Sequence, residues 1–254
     1  MGGPSYDFSD RRVLVTGGTR GLGFLVARTF AGCGASVTIT GTQSLTSFYD
    51  ADLTGFGYHR VDLTDSESIA GLADEVGPVD IVVNNAAPRM APGLDASERE
   101  FVAHASRIGL LGPFQLASRL RLQMANSGHR GGAIINLPSI KRWFDLTHGS
   151  LAAELEVERM TRRIGASWGR LGVRVNSITA PEMVPAQRSG LSVRIEQGSA
   201  PLLTRTRAPR TTTQREIVDV ALFLASDGAA GLSGQTLAVG ATLSATSSEP
   251  ASAG

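Results

Sequence analysis

Residues 12–23 read Arg-Val-Leu-Val-Thr-Gly-Gly-Thr-Arg-Gly-Leu-Gly, and this stretch decides the fold. The apolar run Val13–Val15 predicts a short buried strand, and helical spacing starts at residue 21 and continues to 32. The glycines between them have separate physical tasks. Gly17 permits the sharp turn out of the strand, Gly21 lets the backbone approach a pyrophosphate, and Gly23 lets helix and strand pack closely. A helix that starts there points unpaired N–H groups and a partial positive charge at the loop, which suits a phosphate.

The same alternation continues along the chain. Further strands are predicted at Ser36–Thr40, Gly57–Arg60, Ile81–Val83, Ala133–Leu137, Arg174–Ile178 and Thr236–Val239, with helical spacing over 66–75, 96–108, 110–126, 150–170 and 214–226. Strands separated by helices of this length need right-handed crossovers, which give a parallel sheet covered on both faces. The reading is an α/β chain with one doubly wound parallel sheet of Rossmann type. A single domain is expected over 12–243, after an N-terminal segment 1–11 and before a small, polar tail 244–254 expected to be disordered.

Composition narrows the function. The 24 basic and 23 acidic residues leave a net charge of +1, which offers nothing special to nucleic acid or an anionic membrane. No stretch approaches the ~20 apolar residues of a membrane helix, and the first residues lack a signal-peptide core. A small-molecule partner and a cytoplasmic location are therefore expected. The only cysteine, Cys33, stands between Gly32 and Gly34 at a helix end and is read as packing, and no metal site is predicted.

With these motifs in place, the chain resembles the short-chain dehydrogenase/reductase superfamily. Thr16-Gly17-Gly18-Thr19-Arg20-Gly21-Leu22-Gly23 is similar to its TGxxxGxG fingerprint. Val61-Asp62-Leu63-Thr64 resembles the segment whose Asp contacts adenine, and Asn84-Asn85-Ala86-Ala87 resembles NNAG with Ala in the last place. Arg174-Val175-Asn176-Ser177-Ile178 and Leu222-Phe223-Leu224-Ala225-Ser226 resemble later landmarks, so the resemblance covers about residues 10–240. It implies a dinucleotide site formed by Gly17, Thr19, Arg20, Gly21, Leu22, Gly23, Thr42, Asp62, Leu63, Asn85, Ala86, Ala87 and Pro181. The second strand ends Thr40-Gly41-Thr42-Gln43, with no carboxylate for a ribose 2′-hydroxyl. Arg20, Thr42 and Gln43 could donate to a 2′-phosphate, so NADP(H) is the expected cofactor.

The resemblance also implies a Ser-Tyr-Lys set with a supporting Asn, and here the chain departs from it. Aligned on Arg174-Val175-Asn176, Ser150 stands at the Tyr position, Glu154 at the Lys position and Gly109 at the Asn position. Ser139 matches the family serine. No shift of alignment rescues the set, because the only tyrosines are Tyr6, Tyr49 and Tyr58 and the only lysine is Lys141. Glu182 replaces the Gly that usually follows Pro181, and Ala186 falls at the threonine that contacts the carboxamide. The losses cluster at the nicotinamide end.

Ser139, His148, Ser150, Glu154 and Glu182 remain as the expected catalytic groups; His148 is the best general base by intrinsic pKa, and a buried Glu154 or Glu182 could serve as acid or base. Three functions are compatible with this pattern. One is a non-redox enzyme that cyclises, eliminates from or isomerises a carbonyl-rich, polyketide-like small molecule. The second is an NADPH-dependent ketone or quinone reductase with a different proton donor, and the third is an inactive nucleotide-binding regulator. A homodimer or homotetramer is expected through helices within 96–126 and 150–170, with Val157, Met160, Ile164 and Trp168 facing the sheet and Leu151 and Leu155 facing outward.

Overall fold

A computed structural model describes residues 5–87, 99–127, 131–137, 150–180 and 212–239, with backbone alone at 99–102 and 150–155. Seven parallel strands run β1 (Arg12–Thr16), β2 (Ser36–Gly41), β3 (Gly57–Arg60), β4 (Ile81–Asn84), β5 (Ala133–Asn136), β6 (Arg174–Thr179) and β7 (Thr236–Ala238). Their order in the sheet is β3-β2-β1-β4-β5-β6-β7. The order reverses between β1 and β4, and the crevice above the carboxyl ends of those two strands is where such sheets bind ligands.

The helices are α1 (Gly21–Gly32), α2 (Ser66–Glu75), α3 (Arg99–Ser106), α4 (Gly112–Ala125), α5 (Ser150–Trp168) and α6 (Gln214–Ala225). The strands read as unbroken apolar runs because both faces are covered, and their period of two divides the core. Val13, Val15, Ile39, Ile81, Val83 and Ile135 join Val26, Phe30 and Val218 on the face of α1 and α6. Leu14, Val82, Ile134 and Val175 join Leu72, Leu116, Leu120 and Met124 on the other. Ordered packing begins ahead of residue 12: the ring of Phe8 lies 5.0 Å from that of Phe30, and its N–H donates to the Cys33 carbonyl at the end of α1. Burial raises the pKa of the Cys33 thiol, in keeping with a packing role.

Between α3 and α4, residues Arg107–Leu111 form a π-helical turn. The two predicted helices there are thus nearly one, with Gly109 inside the widened turn, a feature that recurs at functional sites. On α5 the deepest positions are Val157, Thr161 and Gly165, while Met160, Ile164 and Trp168 are only half-buried. Val157, Ile164 and Trp168 face the core as expected, and a hydroxyl and a glycine, invisible to an apolar pattern, complete the buried line. A Cβ at Gly165 would fall under 3.0 Å from the backbone of Gly234, which fixes how closely α5 approaches the segment before β7. The side chains of the outward pair Leu151 and Leu155, and the tail 244–254, lie outside what is described.

Candidate functional site

The loop between β1 and α1 is held by Thr16 and Asn85. Thr16 is fully buried, and its hydroxyl accepts from the N–H groups of Asn85 at 3.0 Å and Ala86 at 3.1 Å. The Asn85 amide returns two donors, to the carbonyls of Thr16 at 3.3 Å and Gly17 at 3.1 Å. Gly17 has φ +63°, and a Cβ on it would lie 2.9 Å from Ala86 Cα. Gly23 is required by contact rather than by backbone angle, since a Cβ there would overlap Gly17 O and Asn85 Nδ2. Gly21, at φ +54°, has no heavy atom within 4 Å of its would-be Cβ, so it faces open space at the mouth of the loop.

Helix α1 starts at this mouth without a side-chain cap and without an acidic residue in its first turn. Arg20, extended and exposed, stands at the cap position. The first-turn N–H groups therefore face the crevice with a partial positive charge, an arrangement that fits a pyrophosphate. Leu22 and Ala86 line the loop through backbone, since their side chains pack into the two core clusters.

At the adenosine end, Thr42 and Gln43 leave β2 exposed. The Asp62 carboxylate accepts from the N–H of Thr64 at 2.8 Å and from its hydroxyl at 2.7 Å, and these bonds hold its pKa below the usual carboxylate value. Asp62 is thus an exposed, ionised group on a rigid turn. The Leu63 side chain is buried in the cluster with Val61, Ile69 and Leu116, so Leu63 can meet a ligand only through its backbone, which Gly112 at the start of α4 approaches closely. Thr19 is buried with its methyl against Gly41, so it shapes the wall between loop and β2.

At the substrate end a chain of buried polar groups underlies the crevice. Asn84 Nδ2 donates to Asn136 Oδ1 at 2.9 Å, Asn136 Nδ2 reaches Thr161 Oγ1 at 3.5 Å, and Thr161 and Ser177 hydroxyls lie 2.7 Å apart. Asn84 Oδ1 is buried with no partner among the described residues. The sequence reading passed over Asn136, Thr161 and Ser177; polar residues at inward strand and helix positions were the signal.

Ser150 and Glu154 lie in the first turns of α5, on the β5–β6 side of the sheet. Ser139, His148, Pro181 and Glu182 fall outside the described residues. All three tyrosines are placed. Tyr6 stacks on Phe8 beside the C-terminal end of α1, ahead of β1 and on the α1/α6 face of the sheet, Tyr58 is on β3, and Tyr49 precedes it in the β2–β3 connection. Strands lie ~4.8 Å apart, so β2 and β3 stand about 14 and 19 Å from β5. No tyrosine reaches the β5–α5 region.

A family model described as enoyl-(acyl carrier protein) reductase matches residues 17–241, most of the chain. The chain belongs to the short-chain dehydrogenase/reductase superfamily. Among relatives in this superfamily, the D-threitol dehydrogenase of Mycolicibacterium smegmatis is 30% identical over 238 residues, covering 89% of this chain and 90% of that protein. The gluconate 5-dehydrogenase of Gluconobacter oxydans is 27% identical, over 92% and 94% of the two chains. A crystal structure of a gluconate 5-dehydrogenase from Burkholderia cenocepacia, in complex with NADP and tartrate, superposes with a TM-score of 0.69 at 27% identity, over 92% of this chain and 95% of that one. These relatives are oxidoreductases of the superfamily. Among the described residues, no helix is long and apolar enough to cross a membrane.

Proposed function

We propose that the chain binds NADP(H) through residues 17–23, Thr42 and the turn at Asp62, and acts on a carbonyl-rich small molecule by cyclisation, elimination or isomerisation. The observation that carries this reading is spatial. A formed phosphate and adenosine cradle stands beside a β5–α5 region that none of the chain's tyrosines reaches. A phenol starts near pKa ~10 and a neighbouring cation can lower it, whereas an alkanol such as that of Ser150 lies far above this range. Glu154 adds negative charge where the superfamily's pattern has an ammonium. Without a positioned proton donor, carbonyl reduction loses roughly 10²–10⁴-fold.

The relatives favour a second reading, in which hydride transfer is retained. A bound NADPH would supply the hydride, and His148, water or the substrate itself would supply the proton. The two readings separate in one experiment: incubation of the purified protein with NADPH and a panel of quinones, cyclic ketones and polyketide-like carbonyl compounds, followed by absorbance and mass spectrometry. Product of unchanged oxidation state without NADPH consumption supports the first reading. Stoichiometric NADPH oxidation overturns it in favour of the second, and failure to convert anything, with a stable protein complex, points to a regulator.

Assembly as a homodimer or homotetramer is proposed with the same helices as in the sequence reading. Leu111 and Leu122, three helical turns apart, are both more than half exposed and offer an apolar stripe for a second copy. A monomer in light scattering over a wide concentration range opposes this.

A further inference from the structure

We propose that the Tyr49 hydroxyl reads the 2′ position of the cofactor's adenosine ribose, in place of the carboxylate that β2 lacks; this rests on the NADP(H) reading above. In sheets of this type the residue at the end of the second strand projects toward that ribose. Gly41 holds the place and projects nothing. The space is filled from elsewhere: a Cβ on Gly41 would lie 2.9 Å from Tyr49 Cζ and nearer still to its oxygen. The Tyr49 hydroxyl therefore sits about where an aspartate at residue 41 would carry its carboxylate.

Its hydrogen bonds prepare it as a donor. Tyr49 Oη accepts from the N–H of Gln43 at 2.9 Å, which uses the oxygen and leaves the proton. The Tyr58 hydroxyl donates to the Gln43 carbonyl at 2.5 Å. The 3.3 Å contact between the two phenols is long, and either hydroxyl can be its donor. A phosphate oxygen is a stronger acceptor than a phenol oxygen at 3.3 Å, so the Tyr49 proton can be redirected at little cost. Burial, and then the bond to Tyr49, push the Tyr58 hydroxyl above the ordinary phenol range, so it stays a fixed, protonated strut.

The chemistry gives the selectivity its sign. A carboxylate over residue 41 would accept from a 2′-hydroxyl and repel a 2′-phosphate, whereas a neutral phenol donates to a phosphate without repulsion. Thr42 lies against the same hydroxyl, so a second donor stands beside Tyr49 at the end of β2.

The test measures dissociation constants of NADPH and NADH, by calorimetry, for wild type, Tyr49→Phe and Tyr58→Phe, with near-ultraviolet circular dichroism as a check on folding. A hydrogen bond to a charged group is worth about 1.5–3 kcal/mol, or roughly 10–100-fold in affinity. Tyr49→Phe is expected to weaken NADPH by that factor and NADH by less than about threefold, while Tyr58→Phe keeps the preference. Equal losses for both nucleotides, an unchanged preference, or tighter NADPH binding in Tyr49→Phe overturns the role of Tyr49 and leaves the cofactor reading standing. Wild type that binds neither dinucleotide overturns both.

Discussion

Replacing Gly23 by alanine tests whether the phosphate loop is held as the structure has it. Alanine is the better helix former by about 0.8–1.0 kcal/mol, so on propensity alone Gly23→Ala would stabilise α1. The geometry predicts the opposite. The new Cβ would fall under 3.0 Å from Gly17 O and from Asn85 Nδ2, a separation real Cβ atoms essentially never show. One of these atoms belongs to the backbone of a turn at φ +63°, and the other makes two of the bonds that hold that turn to the segment after β4. Neither can retreat alone. Overpacking costs about 1–3 kcal/mol, and each of the two lost Asn85 bonds about 0.5–1.5 kcal/mol, so the net loss is about 1–5 kcal/mol after the propensity gain. That corresponds to a Tm lower by roughly 2–20 °C for a domain of this size. Gly71→Ala, in the middle of α2 with nothing within 4 Å of its would-be Cβ, is the control and should gain about 0.5–1 kcal/mol. Urea unfolding followed by circular dichroism measures both. If Gly23→Ala matched or exceeded Gly71→Ala in stability, the close packing of loop, helix and Asn85 would be refuted.

Thr161→Val keeps the volume but removes the hydroxyl shared by Asn136 and Ser177, and should lower stability by about 1–3 kcal/mol; a double-mutant cycle with Ser177→Ala that shows no coupling would contradict the buried polar chain. Ser150→Tyr combined with Glu154→Lys should restore little or no NADPH-dependent ketone reduction. In the resemblance, Glu182 and Ala186 also depart from the pattern expected at the nicotinamide end, and the span from Ser139 to Ser150 is shorter than the superfamily's pattern, while a ~1 Å misplacement can cost about a hundredfold in rate. Robust reduction by that variant, read from NADPH oxidation, would show a reductase site missing only two side chains.

The sequence by itself determined the sheet and its cofactor loop. Apolar runs of strand length, such as Val13–Val15 and Ile81–Val83, alternate with helical spacing, and short-range sterics and burial act within each such segment, so the seven strands and the glycines at 17, 21 and 23 were legible one window at a time. The positions of the three tyrosines and the one lysine, on which the proposed loss of the Tyr and Lys pair rests, were equally legible. Tertiary structure decided what depends on residues far apart in the chain. Leu63 reads as part of a binding motif, yet α4 closes over its side chain. Thr161 looks like a polar break in an amphipathic helix until β5 and β6 surround it with Asn136 and Ser177. Tyr49 lies in an irregular stretch with no periodic signal, and it matters only because the β2–β3 connection folds its hydroxyl over Gly41, eight positions earlier. Periodicity reports which face of an element is buried; which polar group fills a given gap is fixed by the packing of several elements at once.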